Sequence, residues 1–241
     1  MKAEPVRREI HCGETHAILI SPPCFVEPAE KAVLAARQEL SAYISRQPQF
    51  KTSLAPLPLL PGAPDLVRRM AEAAARFNLG PMAAVAGGIA QITVEGLLAA
   101  GAEYAVMDNG GDIVFVCDRP LTVGIYTGKS IIRDIALRFP AGNSIRAVCT
   151  SSATVGHSLS LGQADAATVI AADGFLADAA ATALGNRVSK TGRNDLQEAL
   201  ESMLVPDLSA MLVVAGEQLA MAGDLPEIIQ RPLDENLIAR G

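Results

Sequence analysis

The sequence has no tryptophan, and aromatic residues make up only 4% of its 241 positions. Proteins that stack nucleic-acid bases depend on aromatic platforms, which this chain can barely supply. Basic residues are also few: the chain has 20 Lys and Arg but 26 Asp and Glu, which gives a net charge of −6. Such a chain lacks an electrostatic footprint for phosphate backbones or anionic lipids. We therefore expect neither a nucleic-acid partner nor a membrane partner.

Closely spaced cysteine pairs are absent too. The four cysteines are Cys12, Cys24, Cys117 and Cys149. In a chain of this size, such isolated cysteines predict reduced thiols rather than a disulfide framework. The amino terminus has no apolar stretch typical of a signal peptide, and glycine or acidic residues interrupt the most apolar segments, 82–102 and 164–184. We expect no membrane span and a cytoplasmic protein.

Apolar residues are plentiful, at 50% of the chain. This content excludes wholesale disorder and predicts one compact domain over residues 1–241, with two lobes that share a core as a variant. Helical patterns cover residues 28–45, 65–77, 87–100, 176–186 and 196–203, and residues 81–86 suit a loop or short strand. Strand patterns cover residues 17–21, 104–107, 113–117, 121–126, 145–150, 166–171, 211–215 and 218–221. This order favours an α+β fold of layered mixed or antiparallel sheets with packed helices.

Two glycine pairs suit contact with a ligand. Gly87 and Gly88 open a predicted helix, where bare amides can bind a phosphate; close packing of that helix on a neighbour explains them equally well. Asn109, Gly110, Gly111 and Asp112 separate two strand patterns and predict a hairpin. One Asn-Gly pair is enough for a hairpin, so the second glycine and the acidic residue suggest a ligand lying on the backbone. A slack turn with a solvated aspartate is the alternative.

Asp178 and Thr182 are candidates for binding a metal. They are four residues apart in a predicted alanine-rich helix, so they share one face, where both oxygens can reach a hard cation such as magnesium. In the alternative, Asp178 favours the positive helix end and Thr182 bonds a carbonyl one turn earlier.

Further polar residues end a predicted strand or cluster near the amino terminus. The hydroxyls of Thr150, Ser151 and Ser152 can contact phosphate or ribose, and His157, just beyond, can carry a proton; a structural histidine is the alternative. His11, Cys12 and His16 suggest zinc only weakly, because alternation along a strand puts His11 and Cys12 on opposite faces.

In their order along the chain, these motifs resemble the ApbE family, the FAD:protein FMN transferases once called thiamine-biosynthesis lipoproteins. The counterparts here are Gly87-Gly88-Ile89-Ala90-Gln91, Asn109-Gly110-Gly111-Asp112-Ile113, Thr150-Ser151-Ser152, His157 and Ala177-Asp178-Ala179-Ala180-Ala181-Thr182-Ala183. The resemblance extends from about residue 80 to the last predicted hairpin. Gln91 replaces the family's lysine, and the segment after His157 is shorter than in the family. We therefore expect a divergent branch.

The resemblance implies a cleft for FAD or FMN with magnesium held by Asp178, Thr182 and the carbonyl of Ala90. Asp112 and His157 are then the catalytic candidates. The residues that contact cofactor would be Gly87, Gly88, Asn109, Gly110, Gly111, Ser151 and Ser152. The activity expected is magnesium-dependent transfer of FMN to an acceptor protein. The alternatives are a non-catalytic module that binds a flavin or related nucleotide, and a structural relic that self-associates as a homo-oligomer.

Overall fold

The computed structural model describes residues 3–128, 130–152, 162–203 and 205–232. Its strands are β1 (Val6–Cys12), β2 (Thr15–Ser21), β3 (Tyr104–Asn109), β4 (Asp112–Cys117), β5 (Leu121–Ile125), β6 (Ile135–Phe139), β7 (Gly142–Ser151), β8 (Ala166–Ala171), β9 (Leu208–Ala215), β10 (Gln218–Gly223) and β11 (Glu227–Gln230). Eight of them form a sheet in the order β1-β2-β3-β4-β7-β8-β9-β10, and three form a second sheet, β11-β6-β5. All paired neighbours are antiparallel.

The helices are α1 (Val26–Arg46), α2 (Gln49–Thr52), α3 (Asp65–Ala75), α4 (Val85–Ala99), α5 (Gly174–Arg187) and α6 (Arg193–Glu201). Together with the antiparallel sheets they confirm the α+β layers. A 3-10 turn, Pro81–Ala84, runs directly into α4, so the loop or strand predicted for residues 81–86 is wrong. Pro81 starts this turn because its fixed φ suits a first helical turn. The helix therefore begins two residues before Gly87, and Gly87 and Gly88 lie inside its first turn.

The large sheet separates two apolar clusters. The helices cover one face, where buried residues such as Leu19, Val114 and Phe175 belong to the larger cluster. The small sheet covers the other face, where Phe115 and Phe139 meet edge to face at 5.0 Å. Strands β1, β6 and β11 were absent from the sequence prediction, and the assignment of residues 1–241 to one domain stays a prediction.

Helix α4 is central to the larger cluster. With the preceding turn it forms Pro81–Ala99, the one segment among the described residues that is long and apolar enough to span a bilayer, with a mean hydropathy of 1.5. Half of that segment is buried inside the fold, against α1, α5, β3 and β4. Core helices pass the same test of length and composition, so the segment is weak evidence for a membrane span.

Two hairpin turns, the end of β7 and the start of α4 meet at one end of the large sheet. Ala17 of β2 pairs with Asn109 of β3, so the β1–β2 turn and the β3–β4 turn lie at the same end. Asp112 pairs with Cys149, which brings the end of β7 there as well. The start of α4 joins them, because the side-chain amide of Asn109 donates to the carbonyl of Ala86 at 3.0 Å. The sequence motifs of the predicted cleft therefore converge in space.

Candidate functional site

Two carboxyl groups lie together beneath this end of the sheet. Asp112 starts β4, and Asp178 lies in the second turn of α5 rather than at its start. Asp178 is only 8% exposed, and its Oδ2 accepts a hydrogen bond from the amide of Gly87 at 2.8 Å. Burial raises the pKa of Asp178. Burial and then the negative charge of Asp178 raise the pKa of Asp112 well above its ordinary value. The pair therefore favours protons or a cation as its neighbour.

Cys149 is the third member of this site, and no sequence pattern pointed to it. It lies opposite Asp112 across the β4–β7 ladder and is fully buried, with Sγ 3.8 Å from the carbonyl of Gly174. Burial and the charge of Asp112 raise the pKa of the thiol well above its ordinary value. The thiol is therefore protonated at neutral pH and serves as a weak donor within the site.

Helices α4 and α5 are joined by two reciprocal hydrogen bonds, each from an amide in the first turn of one helix to a side chain of the other. The carboxylate of Asp178 accepts from Gly87 at the start of α4. In return, Gln91 Oε1 accepts from the amide of Gly174, the first residue of α5, at 2.9 Å. Gln91 is 3% exposed, and its Nε2 donates to Glu95 at 2.8 Å. Amides at helix starts have no partner within their own helix, so each helix supplies the other's missing acceptor.

Gly87 and Gly88 make this close approach possible. A Cβ on Gly87 would lie 2.3 Å from the carbonyl oxygen of Gly174, and one on Gly88 would lie 2.5 Å from the Phe175 ring. The structure therefore gives both glycines the packing role that the sequence left as an alternative. The amide of Gly87 is engaged by Asp178, and contact of either glycine with a ligand stays a prediction.

The turn between β3 and β4 is centred on Gly110 and Gly111. Their φ angles are +70° and +98°, and Asn109 pairs with Asp112 across them. Two positive φ angles in a two-residue hairpin define a type I′ turn. The hairpin itself therefore uses both glycines, because both positions lie in the left-handed region, and the prediction that one of them exceeds its needs is wrong. A Cβ on Gly110 would meet nothing within 4 Å, so the outer surface of this turn is open.

The hydroxyl residues lie at the end of β7, beside this turn. Ser151 and Ser152 are buried, and the Thr150 hydroxyl lies 2.9 Å from that of Thr168. Ser151 is on the same sheet face as Cys149, two residues earlier. His157 lies outside the described residues, so its proposed catalytic role stays a prediction.

The predicted metal ligands come from two adjacent helices. Thr182 is half-buried, one turn after Asp178 on the same face of α5. Ala90 is fully buried on α4, one turn after Ala86. A carboxylate, a hydroxyl and a carbonyl oxygen are ligands that magnesium prefers, and the paired carboxyl groups supply charge. This donor set fits a hard divalent cation.

The raised pKa of Asp108 predicts that the stability of the protein depends on pH. Desolvation raises its pKa to about 6, against the favourable bond from the amide of Gly111 at 2.9 Å. A carboxyl whose pKa is higher in the folded state binds its proton more tightly there, so its contribution to stability falls as pH rises from about 4 to about 6. Asp108→Asn keeps the acceptor oxygen and should raise the free energy of unfolding by about 1–2 kcal/mol at neutral pH. Urea denaturation near pH 4 and near pH 7 checks this, and an equal effect at both values would contradict it.

The comparisons with known proteins agree with this architecture. The family model described as AbpE bacteria matches residues 5–239. A UPF0280 protein of Methanocella arvoryzae is 46% identical over 210 residues, covering 87% of this chain and 85% of its own. A UPF0280 protein of Archaeoglobus fulgidus is 44% identical over 220 residues, covering 90% of this chain and 91% of its own.

Two solved structures have a similar fold. The flavinyl transferase ApbE of Pseudomonas stutzeri, in its apo form, aligns with a TM-score of 0.60 and 12% identity over 92% of this chain and 95% of its own. The ApbE protein of Thermotoga maritima aligns with a TM-score of 0.55 and 13% identity over 99% of this chain and all of its own. At this level of identity the likeness concerns the fold.

Proposed function

Since the chain belongs to the family described as AbpE bacteria, we propose that it is a flavin-transferase-like protein, which binds FAD or FMN together with magnesium. The cleft lies where the β3–β4 turn, the end of β7 and the facing helices α4 and α5 meet. The observation that carries the proposal is the pairing of two carboxyl groups, the half-buried Asp112 and the buried Asp178. The pKa of each is raised, so a cation between them would be favoured. Magnesium there would in turn favour the pyrophosphate of a flavin nucleotide.

Different residues of the proposed cleft would bind different parts of the flavin nucleotide and the metal. The open backbone of Gly110 and Gly111 offers a flat surface for the isoalloxazine ring or the ribose. Ser151 and Ser152 are hydroxyl donors beside that surface, suited to phosphate oxygens. Asp178 and Thr182, with the carbonyl of Ala90, would hold magnesium, which when bound would neutralise phosphate charge.

Transfer requires a hydroxyl of an acceptor protein. Its oxygen forms a bond to the phosphorus of the FMN half of FAD, the bond to the bridging oxygen breaks, and AMP leaves. A base must take the hydroxyl proton, and the carboxyl of Asp112 is suited to this because its raised pKa makes it a stronger base than an exposed aspartate. His157 is the other proposed proton carrier.

Gln91 favours a second candidate function, a module that binds a flavin nucleotide without turning it over. The ApbE-like motif places a lysine at this position, and here the side chain is committed to the first amide of α5 and to Glu95. The cleft therefore lacks one positive charge for the phosphates. Cytoplasmic location and self-association as a homo-oligomer are also proposals, which sedimentation and fractionation can address.

Release of AMP separates the two functions. Where no acceptor protein is present, water can take the place of its hydroxyl and split FAD into AMP and FMN. The protein is incubated with FAD and Mg²⁺, and AMP and FMN are measured by chromatography, with an EDTA sample and an Asp112→Asn variant as controls. A transferase-like enzyme produces AMP only with Mg²⁺ and loses activity in the variant. FAD that binds and stays intact would favour the binding module, and FAD that neither binds nor breaks down would overturn both.

Substitution of Gly110 tests whether the turn lies under the flavin. Asparagine tolerates the left-handed region and is favoured in type I′ turns, so Gly110→Asn should keep the melting temperature while its side chain obstructs the open surface. Gly110→Ala should lose about 1 kcal/mol of stability as well, because alanine is strained at this φ. We expect FAD affinity to fall by about tenfold in the asparagine variant. Unchanged affinity in both variants would remove the turn from the cleft.

A further inference from the structure

A second group of metal-ligating side chains lies on the β1–β2 hairpin. One ligand atom from each of Glu9, His11 and His16 lies within 4.8 Å of the others. Among the described residues, no other group of three histidine, cysteine or acidic side chains comes this close. All three face solvent: the side chains of Glu9 and His11 are 54% and 61% exposed, and His16 is half-buried.

The hairpin register brings these residues together. His11 pairs directly with His16, and their rings lie 4.0 Å apart at an angle of 31°. Glu9 precedes His11 by two residues and therefore lies on the same face of β1. Gly13, at the first central position of the turn with φ of +59°, allows the tight two-residue connection that sets this register.

Cys12 does not belong to the group. It pairs with Thr15, whose side chain is buried on the opposite face of the sheet. The weak zinc hypothesis for His11, Cys12 and His16 is therefore wrong about Cys12. The carboxylate of Glu9 takes the place of its thiol.

The carboxylate of Glu9 supplies the negative charge of this group. Its Oε1 accepts a hydrogen bond from the Arg7 guanidinium at 3.1 Å, and a glutamate side chain is an ionised carboxylate at neutral pH. Its other oxygen lies 3.7 Å from Nε2 of His11. Since the three ligand atoms lie within 4.8 Å of one another, one ion could be bound by all three at the usual ligand distances of about 2.0–2.2 Å.

We propose that Glu9, His11 and His16 form a binding site for a zinc-type transition-metal ion. Two imidazoles and one carboxylate suit Zn²⁺ and its neighbours, whereas magnesium selects oxygen ligands. Three protein ligands leave a fourth position for water or a small anion. The site lies on the opposite face of the sheet from Asp112 and Cys149, and it is independent of the proposed flavin cleft.

Calorimetric titration of the tag-free protein with Zn²⁺, in excess Mg²⁺ so that the proposed cleft is occupied, tests the site. We expect one ion per chain, and a loss of affinity of about tenfold or more in each of Glu9→Gln, His11→Gln and His16→Gln. Cys12→Ser is the matched control on the same hairpin, and His157→Gln controls for the third histidine of the chain; both should bind Zn²⁺ as the wild type does.

The spectrum of bound Co²⁺ gives a second readout. Ligation by Glu9 and the two histidines produces visible d–d bands without a thiolate-to-cobalt charge-transfer band. Absence of binding, binding that survives in the double variant His11→Gln/His16→Gln, or a charge-transfer band that Cys12→Ser removes would each overturn the assignment.

Discussion

Gly87→Ala is expected to lower the free energy of unfolding by about 3 kcal/mol, the upper range for a methyl group forced into a packed core. The new Cβ would lie 2.3 Å from the carbonyl oxygen of Gly174 and 2.7 Å from Cβ of Asp178. The first obstacle is backbone, so no side-chain rotation relieves it. Helices α4 and α5 would have to separate, which also weakens the bond from Gly87 to Asp178.

Gly96→Ala is the matched control in the same helix. Gly96 is exposed, and a Cβ there would meet nothing within 4 Å. Alanine at such a position should raise the free energy of unfolding by about 0.5–1 kcal/mol, because it removes the helix penalty of glycine. Chemical denaturation of both variants measures the difference. Equal effects of the two substitutions would mean that α4 and α5 are not in close contact at Gly87.

Asp178 carries the second large expected effect, because it joins the helix contact and the proposed metal site. Asp178→Ala leaves the amide of Gly87 without an acceptor, whereas Asp178→Asn retains an oxygen for it. The alanine variant should therefore be about 1–3 kcal/mol less stable than the asparagine variant. Both should bind Mg²⁺ at least about tenfold more weakly than the wild type, since each lacks the carboxylate charge.

Gln91→Ala separates stability from metal binding. It removes the reciprocal acceptor of the amide of Gly174 and should cost about 1–3 kcal/mol by the same reasoning. Because Gln91 is not a proposed metal ligand, its Mg²⁺ affinity by calorimetry should equal that of the wild type. A parallel loss of Mg²⁺ affinity in Gln91→Ala would show that metal binding only reports the integrity of the helix contact.

The strong local patterns of the sequence were sufficient for most of the fold. Helical spacing located α1, α3 and α5, and the Asn-Gly signal located the β3–β4 hairpin. Strand β1 was not predicted, because it is an edge strand whose residues Arg7, Arg8 and Glu9 are exposed and its apolar alternation is therefore weak. The 3-10 turn before α4 was not predicted, because small apolar residues after a proline suit several backbone conformations.

The site was harder to predict, because its partners are distant in sequence. Asp178 bonds an amide 91 residues away, and no local pattern distinguishes a carboxylate that caps another helix from one that only binds metal. Cys149 gave no signal, since a single cysteine in a strand is ordinary. Gly87 and Gly88 illustrate the same limit: bare amides for an anion and space for a neighbouring helix require the same residues.

Titration of the wild-type protein with FAD, with Mg²⁺ or with EDTA, tests the central claim most directly. Flavin absorbance and fluorescence report binding without any assumption about an acceptor protein. The proposed cleft predicts one FAD per chain and an affinity that rises by about tenfold or more with Mg²⁺, a gain that disappears in Asp178→Asn. No FAD binding, or binding that is equal with Mg²⁺ and with EDTA, would contradict it.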